Sequence, residues 1–154
     1  MEQTFAEVVF TRDHSVAEEI KRLVRVTATS VDAALYRLNN PLLARVLAEA
    51  VERGVRLRLV LDRGRYEEGD SALEILKGAG LPYRLSYGRL GPGSKMHHKF
   101  AILDDALVLT GSYNWTIESE KENFDSLMLV REREHIQLYR SEFEILWSNS
   151  EEAK

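Results

Sequence analysis

Residues 95–114 read KMHHKFAILDDALVLTGSYN. Two apolar runs flank a pair of aspartates, which predicts strands over 96–103 and 107–110 joined tightly through Asp104 and Asp105. Alternate residues of a strand share a face, so His97 and Lys99 point one way and His98 the other. With the two aspartates as a two-residue turn, Leu103 lies opposite Ala106, and Lys99 falls within one or two residues of Thr110 and His97 of Ser112. An imidazole, an ammonium, a hydroxyl and the Asn114 amide then meet at one end of the hairpin. All four groups can contact a phosphate. Gly111 beside them allows a close backbone approach.

Outward from this hairpin, hydrophobic periodicity alternates between strand and helix. Residues 6–11 predict a strand. Ser15 caps a helix to about residue 26, where Val16, Ile20, Leu23 and Val24 recur at helical spacing. Residues 30–38 predict a second strand, and Asn40 and Pro41 open a helix that Gly54 ends. Residues 55–62 (VRLRLVLD) form a strand, 62–70 a polar loop and 71–78 a short helix. A strand over 81–87 leads into a glycine-rich loop over 88–94. Residues 124–130 make the last strand and 135–148 a closing amphipathic helix. The pattern predicts one compact α/β domain over 1–154, a mixed β-sheet flanked by helices on both faces.

Composition agrees with a single globular domain. The chain has 154 residues, 44% hydrophobic and 30% charged. It has no cysteine, which excludes disulfides, thiol catalysis, cysteine-ligated zinc and iron–sulfur clusters. No apolar run approaches the length of a membrane-spanning helix, so no integral membrane segment is expected. The first residues, MEQTFAEVVF, lack a leader signature, which fits a cytoplasmic protein or one exported and trimmed. Formal net charge is −4, but 75–103 holds no acid and five bases: Lys77, Arg84, Arg89, Lys95 and Lys99. Such a run is ordinarily a solvated face; beside a phosphate site it would be a binding surface.

His97, Lys99, Asp104, Gly111, Ser112 and Asn114 spell H-x-K-x4-D-x6-G-S-x-N. Six specified positions would coincide roughly once in 10⁸ starting points at about one in twenty per residue. The pattern resembles the HKD signature of the phospholipase D superfamily, and its surroundings are most similar to the small, single-motif endonuclease branch. The resemblance implies a phospholipase D-like fold and phosphodiester cleavage through a covalent phosphohistidine. It implies a homodimer, because that chemistry uses two such histidines and this chain supplies one. It implies no metal and no cofactor. Catalytic roles fall to His97, Lys99 and Asp104, and to a glutamate before the last strand that orients the histidine, taken as Glu122 with Glu118 and Glu120 nearby. Lys99, Ser112 and Asn114 are the implied phosphate-binding residues.

More ordinary readings stand beside these. His98 falls outside the pattern and serves packing or a secondary polar contact. His97 and His98 diverge, which makes them a poor metal pair. Asp104 suits a turn. His14 and His135 match no motif and read as surface residues.

Nucleic acid, DNA or RNA, is the expected partner, cut without sequence preference. Lys95 and Arg89 would bind its backbone, and Trp115, with Tyr83, Tyr87 and Tyr113, could stack on bases, although aromatics flanking strands ordinarily pack. A phospholipase D-type hydrolase or transferase on phospholipids such as cardiolipin would use the same histidines, but needs an exposed apolar patch or an interfacial amphipathic helix near the seam. A non-catalytic dimeric nucleic-acid-binding module would not need His97.

Overall fold

The computed structural model describes residues 6–69, 72–78 and 80–152. In chain order they form β1 (Ala6–Phe10), α1 (Val16–Arg25), β2 (Ser30–Leu35), α2 (Pro41–Glu52), β3 (Arg56–Asp62), α3 (Arg63–Glu68) and α4 (Ala72–Gly78). There follow β4 (Arg84–Gly88), β5 (Gly91–Lys95), β6 (Lys99–Leu103), β7 (Leu107–Gly111), α5 (Ile117–Lys121), β8 (Ser126–Val130), α6 (Arg133–Asn149) and β9 (Glu151–Glu152). All strands join one mixed sheet in the order β1-β8-β7-β6-β2-β3-β4-β5, with β9 also on β4. The pairs β2–β3 and β3–β4 are parallel, as strand–helix–strand connections require, and the remaining pairs are antiparallel.

Local chemistry explains the helix boundaries. Ser15 accepts from the Glu18 N–H and caps α1, while Asn40 accepts from the Leu42 N–H with Pro41 at the first position of α2. Helices α1 and α2 bury Ile20, Leu23, Leu43 and Leu47 against Ala33, Leu59, Ala101 and Leu109 on one sheet face. Helix α6 packs Ile136 and Phe143 against Ala34, Val60, Phe100 and Ile102 on the other. Helices therefore cover both faces, as the periodicity predicts.

Charge also fixes α6. Asp32 of β2 is fully buried, and its carboxylate accepts from Arg58 Nε at 2.8 Å and Arg140 Nη1 at 2.6 Å. Both arginines continue to Glu144 of the same helix. Burial pushes the Asp32 carboxyl up, but the two guanidinium groups outweigh it and hold it below its ordinary value.

Several sequence expectations need correction. The polar stretch 62–70 contains a helix, α3, because Asp62 caps it through the Arg65 N–H; it buries none of its residues, so no apolar period betrays it. The expected loop over 88–94 contains β5, which folds back on β4. Helix α5 and the short β9 were not anticipated. The β6–β7 turn is one residue longer than expected. Leu103 faces Leu107, with Asp104 and Asp105 both at positive φ, so Thr110 faces Phe100 and the position opposite Lys99 is Gly111. Residue 71, the expected start of α4, lies outside the described residues.

Candidate active site

His97 sits in the short segment between β5 and β6, and Lys99 opens β6. The parity of β6 puts Lys99 on the side of Ala101 and Leu103. The Lys99 ammonium donates to the His97 carbonyl at 2.8 Å and lies 3.2 Å from His97 Nδ1. His98 takes the opposite side, as expected: its Nε2 meets Glu142 of α6 at 2.7 Å, and its ring packs edge-on against Phe100. His14 and His135 are exposed, again as read from the sequence.

The His97 ring leans on Tyr36, with ring centroids 4.4 Å apart. Lys99, Lys95 and Arg65 each approach the same tyrosine ring within about 6 Å, so the histidine stands in a cationic neighbourhood. Burial lowers the His97 pKa, and the charges of Lys99 and Lys95 lower it further. The ring is therefore biased toward the neutral, nucleophilic form. Burial also lowers Lys99, opposed by the negative charge of Asp125.

Gly111, Ser112 and Asn114 follow at the same end of the hairpin. A Cβ on Gly111 would lie 2.2 Å from the Ser126 carbonyl, so only glycine lets β7 meet β8 this closely. Ser112 donates to Asp125 Oδ1 at 2.7 Å and accepts from the Ser126 N–H at 3.1 Å. Thr11 at the end of β1 accepts from the Asp125 N–H and donates to the Asn123 carbonyl, which pins this corner. Two acceptors are left over: Asn114 Oδ1 and Asp125 Oδ2 are buried and take no hydrogen bond. Buried oxygens are ordinarily paired, and Asp125 lines a cleft, so its leftover oxygen marks a place for an incoming donor.

Asp125 is thus the carboxylate of this corner, and the expected Glu122 is not among the groups that meet there. Glu122 is exposed at the end of α5, and its side chain makes no hydrogen bond or ion pair among the described residues. Glu118 is engaged by the Asn39 amide, and Glu120 by Ser15, the Ala17 N–H and Tyr113. The available signal was position: Asp125 directly precedes β8, the strand that pairs with β7 beside Gly111 and Ser112.

Two other expectations change. Asp104 lies at the far end of β6, seven residues from His97 and on the order of 20 Å away at strand rise. It accepts from the N–H groups of Ala28, Thr29 and Ser30 and from the Thr29 hydroxyl, tying the hairpin turn to the start of β2. Against a burial penalty, these donors pull its carboxyl down to about 2. The motif aspartate therefore braces the fold and does not join His97. Trp115 is 1% exposed and cannot stack on a base; its carbonyl accepts from Asn39 and Asn40, which fixes it inside the core. Tyr83 and Tyr113 are also buried, and only Tyr87 of that group stays partly open.

Lys95 and Arg89 are exposed, and with His97 and His98 they line a groove of about 570 Å³ against α6. A second cleft, about 370 Å³, opens between Phe10, Arg12, Ser112, Phe124 and Asp125. Two large apolar side chains stand fully out near these openings, Phe124 at 88% and Leu90 at 90% exposure. Among the described residues no helix is long and apolar enough to cross a membrane.

Residues 20–147 match the family model described as cardiolipin synthase, PLD-like domain. Human mitochondrial cardiolipin hydrolase is 32% identical over 133 residues, covering 86% of this chain and 51% of that protein. A phospholipase D of Rickettsia prowazekii is 28% identical over 130 residues, covering 84% of this chain and 62% of that one. The chain thus spans about half to three-fifths of the length of these curated relatives. Among solved structures, the phospholipase D family member Nuc of Salmonella typhimurium superposes with a TM-score of 0.85 at 20% identity, covering 97% of both chains. NucT of Helicobacter pylori gives 0.83 at 19% identity, covering 96% of this chain and 99% of its own.

Proposed function

Since this chain belongs to the phospholipase D superfamily, we propose that it is a metal-independent phosphodiesterase acting on nucleic acid through a covalent phosphohistidine at the seam of a homodimer. The observation that carries the reading is the His97–Lys99 pair, facing one side of β6 at the end where Asn114 and Asp125 keep unfilled acceptors.

In the first step a neutral His97 nitrogen attacks phosphorus and the bond to the leaving oxygen breaks. His97 of the partner subunit, protonated, gives its proton to that oxygen. Water then attacks phosphorus, the partner subunit's His97 takes a proton from it, and the phosphorus–nitrogen bond breaks. Lys99 neutralises the nonbridging oxygens and the Asn114 amide donates to them. The bare Oδ2 of Asp125 is suited to accept from an imidazole across the seam. Ser112 contributes through Asp125, because its hydroxyl already donates there. An uncovered apolar strip of Val8, Phe10 and Met128 on the β1–β8 edge, beside the Asp125 cleft, suits burial against a second copy.

Exposed Lys95 and Arg89 beside His97, and Arg12 at the second cleft, favour a polyanionic strand. A second reading has its own support. Leu90 and Phe124 are the exposed apolar tips that a phospholipid surface would receive, so a phospholipase acting on cardiolipin-like headgroups would use the same groups.

The test is cleavage of end-labelled single-stranded DNA and RNA in excess EDTA, beside cardiolipin vesicles, for the wild type and His97→Ala. Chelator-resistant cutting of nucleic acid that the variant lacks supports the proposal. Lipid hydrolysis with inert nucleic acid moves the substrate and keeps the mechanism. Activity that EDTA abolishes overturns the mechanism.

A further inference from the structure

We propose that Asp62, a residue outside the motif, is a positioning residue for His97, holding the backbone in front of it and setting a fixed negative charge against its imidazole. This rests on the reading of His97 as the reacting group and extends the site to the end of β3.

Residues 96–98 belong to no strand, yet they carry the histidine. Two hydrogen bonds bracket them. Asp62 Oδ1 accepts from the Met96 N–H at 2.9 Å, and the His98 carbonyl accepts from the Tyr36 N–H at 2.8 Å. His97 is thus held on both sides, by the end of β3 and by the residue that follows β2, with the Tyr36 ring against its own. Asp62 is 3% exposed, and its second oxygen caps α3 through the Arg65 N–H at 3.0 Å. One buried carboxylate thereby ties together β3, α3 and the His97 segment. The clearance is small: a Cβ on Gly64 would come within 3.2 Å of Asp62 Oδ2.

The carboxylate also acts through its charge. Groups facing His97 are His98 beside it, Lys99 from β6, Lys95 from β5, Tyr36 just after β2 and Asp62 from β3, with Arg65 of α3 over the Tyr36 ring. The lysines disfavour the imidazolium, and Asp62 is the carboxylate that favours it. A cycle in which one copy of this histidine must be protonated needs that counterweight.

An ordinary helix cap would explain Asp62 without reference to His97, and the test separates the two. Asp62→Ser keeps a capping oxygen for α3 but loses the Met96 tether and the charge. Asp62→Asn keeps the shape but loses the charge and one of the two accepting oxygens. The His97 ring resonances, assigned with His97→Ala, are titrated by NMR in the resting protein. The expected result is a fall of about half a pH unit or more in both variants. Hydrolysis of bis(p-nitrophenyl) phosphate should fall about tenfold or more, with its pH profile displaced to lower pH. Thr27→Ala, which removes a buried hydroxyl bond to the Leu23 carbonyl at the far end of α1, is the control for lost stability alone. A lower Tm with the His97 titration moved by less than about 0.2 unit would reduce Asp62 to a cap and overturn the proposal. The titration needs no substrate, so a wild type inert on every phosphodiester would sink the proposed activity and still leave this inference to be judged on its own result.

Discussion

The β6–β7 hairpin has a carboxylate near each end, and the two are treated in opposite ways. At the turn, Asp104 accepts four hydrogen bonds from Ala28, Thr29 and Ser30. At the other end, Asp125 spends one oxygen on Ser112 and keeps the second buried and bare, as Asn114 keeps its amide oxygen. Asp32 under α6 resembles the first case, saturated by Arg58 and Arg140. A polar group that is fully paired holds the fold together. One left short of donors while buried costs stability, and its retention at a cleft points to a ligand or a second subunit.

That contrast can be broken in order of effect. His97→Ala should lower phosphodiesterase turnover at least about 10⁴-fold, equivalent to about 5.5 kcal/mol in the barrier, with Tm unchanged. Single-turnover assays and thermal melts check it; a residual rate within tenfold of wild type would remove His97 from the chemistry.

Asp104→Ala should do the reverse, costing about 3 kcal/mol in urea unfolding while the folded fraction keeps its activity. The pH dependence has a definite sign. The folded carboxyl lies near 2, below its ordinary 3.8, so its stabilisation is complete above about pH 4 and is lost as pH falls toward 2. Wild type and variant should therefore converge in stability in acid. If they stay equally far apart at low pH, the bonds to Asp104 are not what holds the turn.

Asp125→Asn should cut activity about 100-fold, about 2.7 kcal/mol, with Tm unchanged or raised, since an amide still accepts from Ser112. Loss of stability instead would class Asp125 with Asp104. The smallest effect belongs to His98→Ala. Its contact with Glu142 is exposed, so less than about threefold in rate and under about 1 kcal/mol in stability are expected. A large rate loss would bring the α6 side of β6 into the reaction.

Particular residues show where sequence reading worked. His97 and Lys99 were legible because their spacing in the motif is local, and Ser15 and Asn40 because capping acts within three residues. Glu122 and Asp125 differ by three positions, and choosing between them required knowing that α5 lifts the first into solvent while β8 carries the second against Ser112. Trp115 reads as either a stacking or a packing aromatic until its 1% exposure places it in the core. Asp104 belongs to the same spacing pattern as His97, yet a strand's length separates them.

By itself, the sequence determined the α/β alternation, the caps, the hairpin and the histidine–lysine pair, because periodicity, turn chemistry and side-chain parity act over a few residues. Tertiary structure alone decided which carboxylate faces the site, which aromatics are buried and which backbone braces His97. Those depend on strands β2, β3 and β8, separated from the motif in sequence and brought beside it only by the order of the sheet.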